Sequence, residues 1–246
     1  MSPMKEIKYY GLHACLAIWK KRPQDIIRVY LDESNVKPLR AVLKWCAEQK
    51  KAYHIVPPSD LAKVSDSIHH EGVCLLAKEP PKASDRQLSS LSGNQCLLYL
   101  DGVENPHNLG SILRTCAHFG IRYVLGEEGK LPSLSPSACR IAKGGAEEVQ
   151  LIALKNPLQT LKLLKGKGFS LIGTSSHKGE SLYKFKFPSR SILMLGSESR
   201  GMSPALLSLA AANLQISGTG HVESLNVSVA TSLCLGEYVR QHLSFE

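Results

Sequence analysis

The apolar positions change period repeatedly along this chain, and each change marks an expected element. Residues 7–20 place Leu12, Cys15, Leu16 and Trp19 at helical spacing, which predicts a short amphipathic helix. Residues 26–31, IIRVYL, read as a strand. Residues 38–50 turn Leu39, Val42, Leu43 and Cys46 to one side and Arg40, Lys44 and Lys50 to the other, a second helix. Residues 53–56 form a strand, and Ser59 is positioned to cap a short helix reaching Lys63. Residues 68–77, IHHEGVCLLA, are a turn entering an apolar strand. Residues 1–80 therefore make a small α/β domain.

Residues 81–93 hold Pro81, four serines and Gly93, break the periodicity and read as a linker. From 94 to 246 the apolar runs lengthen. Strands are expected at 96–100, 122–125, 148–152, 169–174, 191–195 and 214–217. Helices are expected from Pro106, behind Asn105, to Gly120; at 136–143 and 157–165; and from Pro204 behind Ser203. This alternation predicts a parallel sheet flanked by helices. Residues 218–240 then run from a glycine loop into Val227, Val229, Ala230, Leu233, Cys234 and Leu235. A helix apolar on most sides is expected to be buried on most sides.

Composition narrows the class. The chain has 246 residues, 43% apolar and 21% charged, enough for a real core. No run approaches the roughly 20 apolar residues of a membrane helix, and the first residues lack the apolar centre of a signal peptide. A cytoplasmic protein without a membrane partner is expected. The seven cysteines are scattered without a CxxC pair, so they read as buried reduced thiols, with no metal site. The net charge of +9 favours a polyanion such as RNA. The excess is +4 over residues 1–80 (13 basic, 9 acidic) and +4 over 94–246 (15 basic, 11 acidic), so both halves could face nucleic acid. His69 and His70 read as exposed rings able to stack on a base rather than as metal ligands.

Three polar stretches follow expected strand ends. They are NPHNLGSILRT at 105–115, LGSESRGM at 195–202, and SLNVSVAT at 224–231. Loops at the carboxyl ends of parallel strands share one crevice, where open α/β sheets bind ligands. The first strand–turn–helix of the second half lacks G-x-G-x-x-G, which disfavours a dinucleotide oxidoreductase.

In order and spacing these three stretches resemble the SpoU (TrmH-like) family of RNA 2′-O-ribose methyltransferases, in the SPOUT superfamily. Residues 4–80, with HHEGV, resemble the L30-like substrate-binding domain that often precedes it. The resemblance implies a trefoil-knotted C-terminal part, a homodimer formed through that part, and S-adenosylmethionine bound in the knot largely by main-chain groups. By motif position the cofactor lies near Thr174, Gly196, Ile216 and Leu225, with Ser224 and Gly201 beside them. It implies rRNA or tRNA as substrate and Arg114 as the arginine proposed for the catalytic base. A guanidinium is permanently charged, so anchoring a phosphate and stabilising the developing alkoxide is the physically easier role. Glu198 would orient Arg114, Asn108 and Asn226 would position it and the RNA, and Ser224 could contact a phosphate. His107, His118 and His221 read as RNA contacts or structural residues. Arg200 adds a charge beside the second motif. A catalytically silent RNA-binding or ribosome-assembly protein on the same fold is the alternative; the intact Arg114, Glu198 and Asn226 favour the enzyme.

Overall fold

The computed structural model describes residues 6–80, 83–197 and 200–242. Along the chain run β1 (Glu6–Tyr10), α1 (Leu12–Lys21), β2 (Ile26–Leu31), α2 (Arg40–Glu48), β3 (Ala52–Ile55), α3 (Pro58–Ser65) and β4 (Val73–Lys78). Then come β5 (Gln95–Asp101), α4 (Pro106–His118), β6 (Tyr123–Glu127), α5 (Pro136–Ala142), β7 (Gln150–Leu154) and α6 (Pro157–Gly166). The chain continues with β8 (Ser170–Thr174), β9 (Glu180–Ser181), β10 (Arg190–Gly196), α7 (Pro204–Leu207), β11 (Ala212–Gln215) and α8 (Val227–His242).

The chain divides into two compact units, one of Met1–Pro81 with Leu134–Glu148, the other of Lys82–Ser133 with Val149–Glu246. In the first, a four-stranded sheet runs β1-β4-β2-β3. Strand β4 is antiparallel to β1 and β2, and β2 is parallel to β3. One face buries Tyr9, Val29, Leu31, Val73 and Leu75 with Cys15, Ile18, Val42 and Cys46 of the helices.

Three local expectations change here. The helix expected over 7–20 is a strand followed by a helix. Residues 6–10 find hydrogen-bond partners on β4, and Gly11 at φ 92° breaks the path before α1. Helix α3 starts at Pro58, not behind Ser59, because proline's missing N–H and fixed φ suit a first helical position. His70 is used within its turn, its Nδ1 accepting from the Gly72 amide at 3.0 Å.

The segment 134–148 lies within the expected 94–246 region yet packs into the first unit. Cys139 joins the core of Tyr9 and Cys15, with Leu134 and Ala146 against it. Arg22 holds the segment's end: Nε and Nη2 donate to the two Glu147 carboxylate oxygens at 2.9 and 3.0 Å, and Nη1 donates to the Lys78 carbonyl at 2.9 Å. Burial opposes the charge on Arg22, but this pairing outweighs it and raises the guanidinium pKa. Glu71 accepts from the Leu12 amide at 3.2 Å and from Lys143 at 3.3 Å.

The second unit holds a seven-stranded sheet, β7-β6-β5-β10-β8-β11-β9, parallel throughout. Strand β10 enters between β5 and β8, so the last-made central strand has both neighbours already in the chain before it. The two-residue β9 carries no legible period and exists through pairing with β11. Helix α8 is apolar on more than one side but buries Val227, Thr231, Cys234, Leu235, Tyr238 and Val239, while Val229 and Leu233 stay 47% and 37% exposed. The expected all-round burial does not occur within one chain. All seven cysteines are free and buried. Burial pushes the Cys96, Cys139 and Cys234 thiols up to about 12, which keeps them unreactive.

Candidate active site and cofactor cleft

Parallel pairing puts the ends of β5, β10, β8 and β11 on one sheet edge. Gly196 lies opposite Asp101, Met194 opposite Gly173, and Leu214 opposite Thr174. Thus Gly196, Thr174 and Ile216 stand at three neighbouring strand ends. The Thr174 hydroxyl donates to the Met194 carbonyl at 3.2 Å, and the Ser175 amide to Leu214 at 2.9 Å. These bonds stitch the edge together.

Beyond β10 the backbone folds back sharply. Ser197 N donates to Gly201 O at 3.2 Å, and Gly201 N to Ser197 O at 2.9 Å, with Gly201 at φ 64°. A Cβ at Gly196 would meet the Gly201 carbonyl carbon at 2.2 Å and the Met202 nitrogen at 2.3 Å. Gly196→Ala is therefore expected to force this loop open and, since the family resemblance puts the cofactor beside Gly196, to weaken cofactor binding by roughly tenfold, the cost of about 1.4 kcal/mol. Calorimetry with S-adenosylmethionine checks it; an unchanged Kd would remove the loop from the cofactor site.

A second cluster of the expected site residues forms where α4 meets α8. Asn105 caps α4, accepting from the His107 amide at 2.9 Å, with Pro106 behind it. Asn226 does the same for α8, its Oδ1 accepting from Ser228 N at 2.8 Å and Ser228 Oγ at 2.6 Å. The Asn226 amide then donates to Asn108 Oδ1 at 3.0 Å, joining the two helix starts. One turn or more along, the Thr115 and Ser232 hydroxyls lie 3.1 Å apart. A cleft of about 210 Å³ opens here, lined by Gly102, Glu104, Asn108, Ser197, Arg200 and Val227. Arg200 reaches Glu104 at 3.4 Å, and Asp101 accepts from the Ser203 amide at 2.8 Å.

Arg114 is exposed on α4, on the stripe that also carries His107, Ser111 and His118. Among the described residues its guanidinium makes no hydrogen bond or ion pair. Ser224 and Leu225 are exposed on the stretch leading into α8, and the neighbouring Glu223 lies 3.7 Å from His177 beyond β8. Glu198 lies outside the described residues. So the structure joins Asn108 to Asn226 and Gly196 to Gly201, and aligns Gly196 with Thr174 and Ile216. Arg114, Ser224 and Leu225 stand exposed, without bonds to those groups among the described residues. Asp101 and Glu104 were not singled out by sequence reasoning; an acid closing an apolar strand, followed by a glycine turn, was the available signal.

Residues 95–236 match the model of the SpoU rRNA Methylase family, and residues 9–83 match that for RNA 2′-O ribose methyltransferase substrate binding. The chain belongs to the SpoU family of RNA methyltransferases. This SpoU chain is 39% identical to an uncharacterized tRNA/rRNA methyltransferase, YfiF, from Escherichia coli O157:H7, over 97% of this chain and 69% of that protein. It is 31% identical to the 23S rRNA (guanosine-2′-O-)-methyltransferase RlmB of Pectobacterium atrosepticum, over 97% of this chain and 99% of that one. Its fold matches the SpoU methyltransferase AviRb of Streptomyces viridochromogenes, solved with AdoMet, at TM-score 0.79 and 21% identity, over 98% and 92% of the two chains.

Proposed function

We propose that this SpoU enzyme methylates a ribose 2′-oxygen of ribosomal RNA, with Arg114 as its electrostatic anchor and Asn108–Asn226 as its positioning pair. The carrying observation is the 3.0 Å bond that locks Asn226 to Asn108 beside the cleft, in a chain 31% identical to RlmB over nearly its whole length. S-adenosylmethionine would be held by Thr174, Gly196, Gly201, Ile216, Ser224 and Leu225, and supplies an activated methyl group. The site fits such a group: the half-buried Gly196, Thr174 and Ile216 stand at three neighbouring strand ends, and Leu225 offers an apolar surface 43% exposed for an adenine.

The chain's own work is alignment and charge control. Arg114, exposed and without a partner among the described residues, is free to clamp the phosphate beside the target ribose and to stabilise the alkoxide as its proton leaves. Asn108 and Asn226 hold α4 and α8 in register and so fix the face of α4 that carries Arg114. Glu198 is the candidate to orient Arg114. The family resemblance implies a trefoil knot around the cofactor loops, and the placement of β10 between β5 and β8 is compatible with it. An rRNA substrate implies a cytoplasmic enzyme; no helix among the described residues is long and apolar enough to cross a membrane.

The test is transfer of a labelled methyl group from S-adenosylmethionine to 23S rRNA, with 2′-O-methyl mapping in cells with and without the gene. A site missing only in the deletion strain is expected. An identical methylation map, with no transfer in vitro, would leave the silent RNA-binding alternative standing.

The exposed Val229 and Leu233 lie one turn apart on α8 and favour a homodimer that covers them. Val229→Asp with Leu233→Asp is expected to halve the mass seen by light scattering. A wild-type protein already monomeric at micromolar concentration would discard the dimer.

A further inference from the structure

The four-stranded sheet of the first unit has a second face that its core does not use. Pairing register places Tyr10, Cys74, Tyr30 and His54 in one row across β1, β4, β2 and β3, and Lys8, Leu76, Arg28 and Ala52 in the next. Residues directly opposite one another project to the same side of a sheet. Helix α3 covers one end of the first row, where Leu61 packs on Tyr10 and Cys74, with Val64 and Tyr30 against them. The rest is open: Arg28, Ala52 and His54 are exposed, and Lys8, Leu76 and Tyr30 are half-buried.

This open area is organised. The Tyr30 and His54 rings stack with centroids 5.2 Å apart and 21° between planes. Arg28 donates to the Tyr30 hydroxyl at 3.1 Å, which fixes the guanidinium at the edge of the stack. His54 stands on β3, the edge strand of this sheet among the described residues. Lys50 and Lys51 lead into that strand, and Lys78 ends β4. Against these cations stand Glu6, opposite Lys78, and Asp66, paired with Lys8. Arg28, Lys50 and Lys51 leave a positive excess around a two-ring stack.

We infer that this sheet face holds single-stranded RNA, with a base extending the Tyr30–His54 stack and Arg28 on the adjoining phosphate. Stacking platforms flanked by cations are how proteins hold unpaired nucleotides, because every base offers a π-face and every nucleotide a charge. The inference rests on the RNA reading above and assigns the site to this unit's sheet rather than to the His69–His70 turn, where His70 is occupied by its own backbone.

The full chain is titrated against a fluorescent, mixed-sequence single-stranded RNA of about 12 nucleotides, by anisotropy. Arg28→Ala with His54→Ala is expected to weaken binding by roughly tenfold or more, given the usual worth of one stacked base and one phosphate contact. The slope of log K against log salt should fall by about one. His54→Phe keeps a ring and should bind like wild type. Thermal unfolding and S-adenosylmethionine binding should not move, since both residues are exposed and outside the second unit. If wild type binds RNA and the double variant binds equally well with the same salt slope, the sheet face is not the site, and the methyltransferase reading is untouched. If wild type binds neither this RNA nor 23S rRNA, both readings fall together.

Discussion

Replacing Arg114 by alanine is expected to lower methyl transfer to rRNA by roughly 10²–10³-fold, the usual effect of removing one preorganised electrostatic group. S-adenosylmethionine binding and the melting temperature should stay at wild-type values, because Arg114 is exposed and bonds to no described residue. The reaction explains the size of the effect. The sulfonium already carries a reactive methyl, so the remaining barrier lies in placing the 2′-oxygen and accommodating its negative charge. A guanidinium supplies a fixed positive fork for both tasks and does not readily give up its own proton. Arg114→Lys separates the roles. A lysine keeps the charge but titrates lower, so a base role would shift the pH dependence of the rate, whereas an anchor role leaves its shape and loses part of the rate. Arg114→Ala turning over at the wild-type rate would take Arg114 out of the mechanism.

Arg22→Ala is expected to destabilise the first unit by about 3–5 kcal/mol, the range for breaking a buried ion pair from one side. The Arg22 and Glu147 side chains are only 9% and 13% exposed, and the loss also frees the Lys78 carbonyl. A drop in melting temperature on the order of 10 °C should follow, read by differential scanning calorimetry. Arg22→Met with Glu147→Leu should recover part of it, since an apolar pair leaves no stranded charge. The neighbouring Glu71 adds a pH dependence. Burial raises its pKa, but Lys143, the Leu12 amide and Arg140 outweigh this and hold it below the ordinary glutamate value. Its contribution is present above the unfolded pKa and fades as pH falls through the lowered one. If Arg22→Ala melts with wild type, the 134–148 segment is not held by this pair.

Most of the parallel sheet was legible because its signals are local. The apolar runs at 96–100 and 191–195 became β5 and β10, and Asn105–Pro106 opened α4 as their capping chemistry requires. The pairing of Asn108 with Asn226 was legible only as two motifs far apart; the 3.0 Å bond needs α4 and α8 side by side. The need for glycine at 196 was hidden, since the crowding atoms belong to Gly201 and Met202 in a loop that folds back.

Most of the strand–helix order beyond β1 and β9, the three polar stretches after strand ends, the basic balance and the family could be read from residues alone, because period, capping and residue identity act over a few neighbours. Only the tertiary structure decided that residues 6–10 are a strand, that 134–148 belongs with the first unit's core, that α8 leaves Val229 and Leu233 open, and that Arg28, Tyr30 and His54 meet on one sheet face. Each of those depends on hydrogen-bond or packing partners dozens of residues away, which no local pattern specifies.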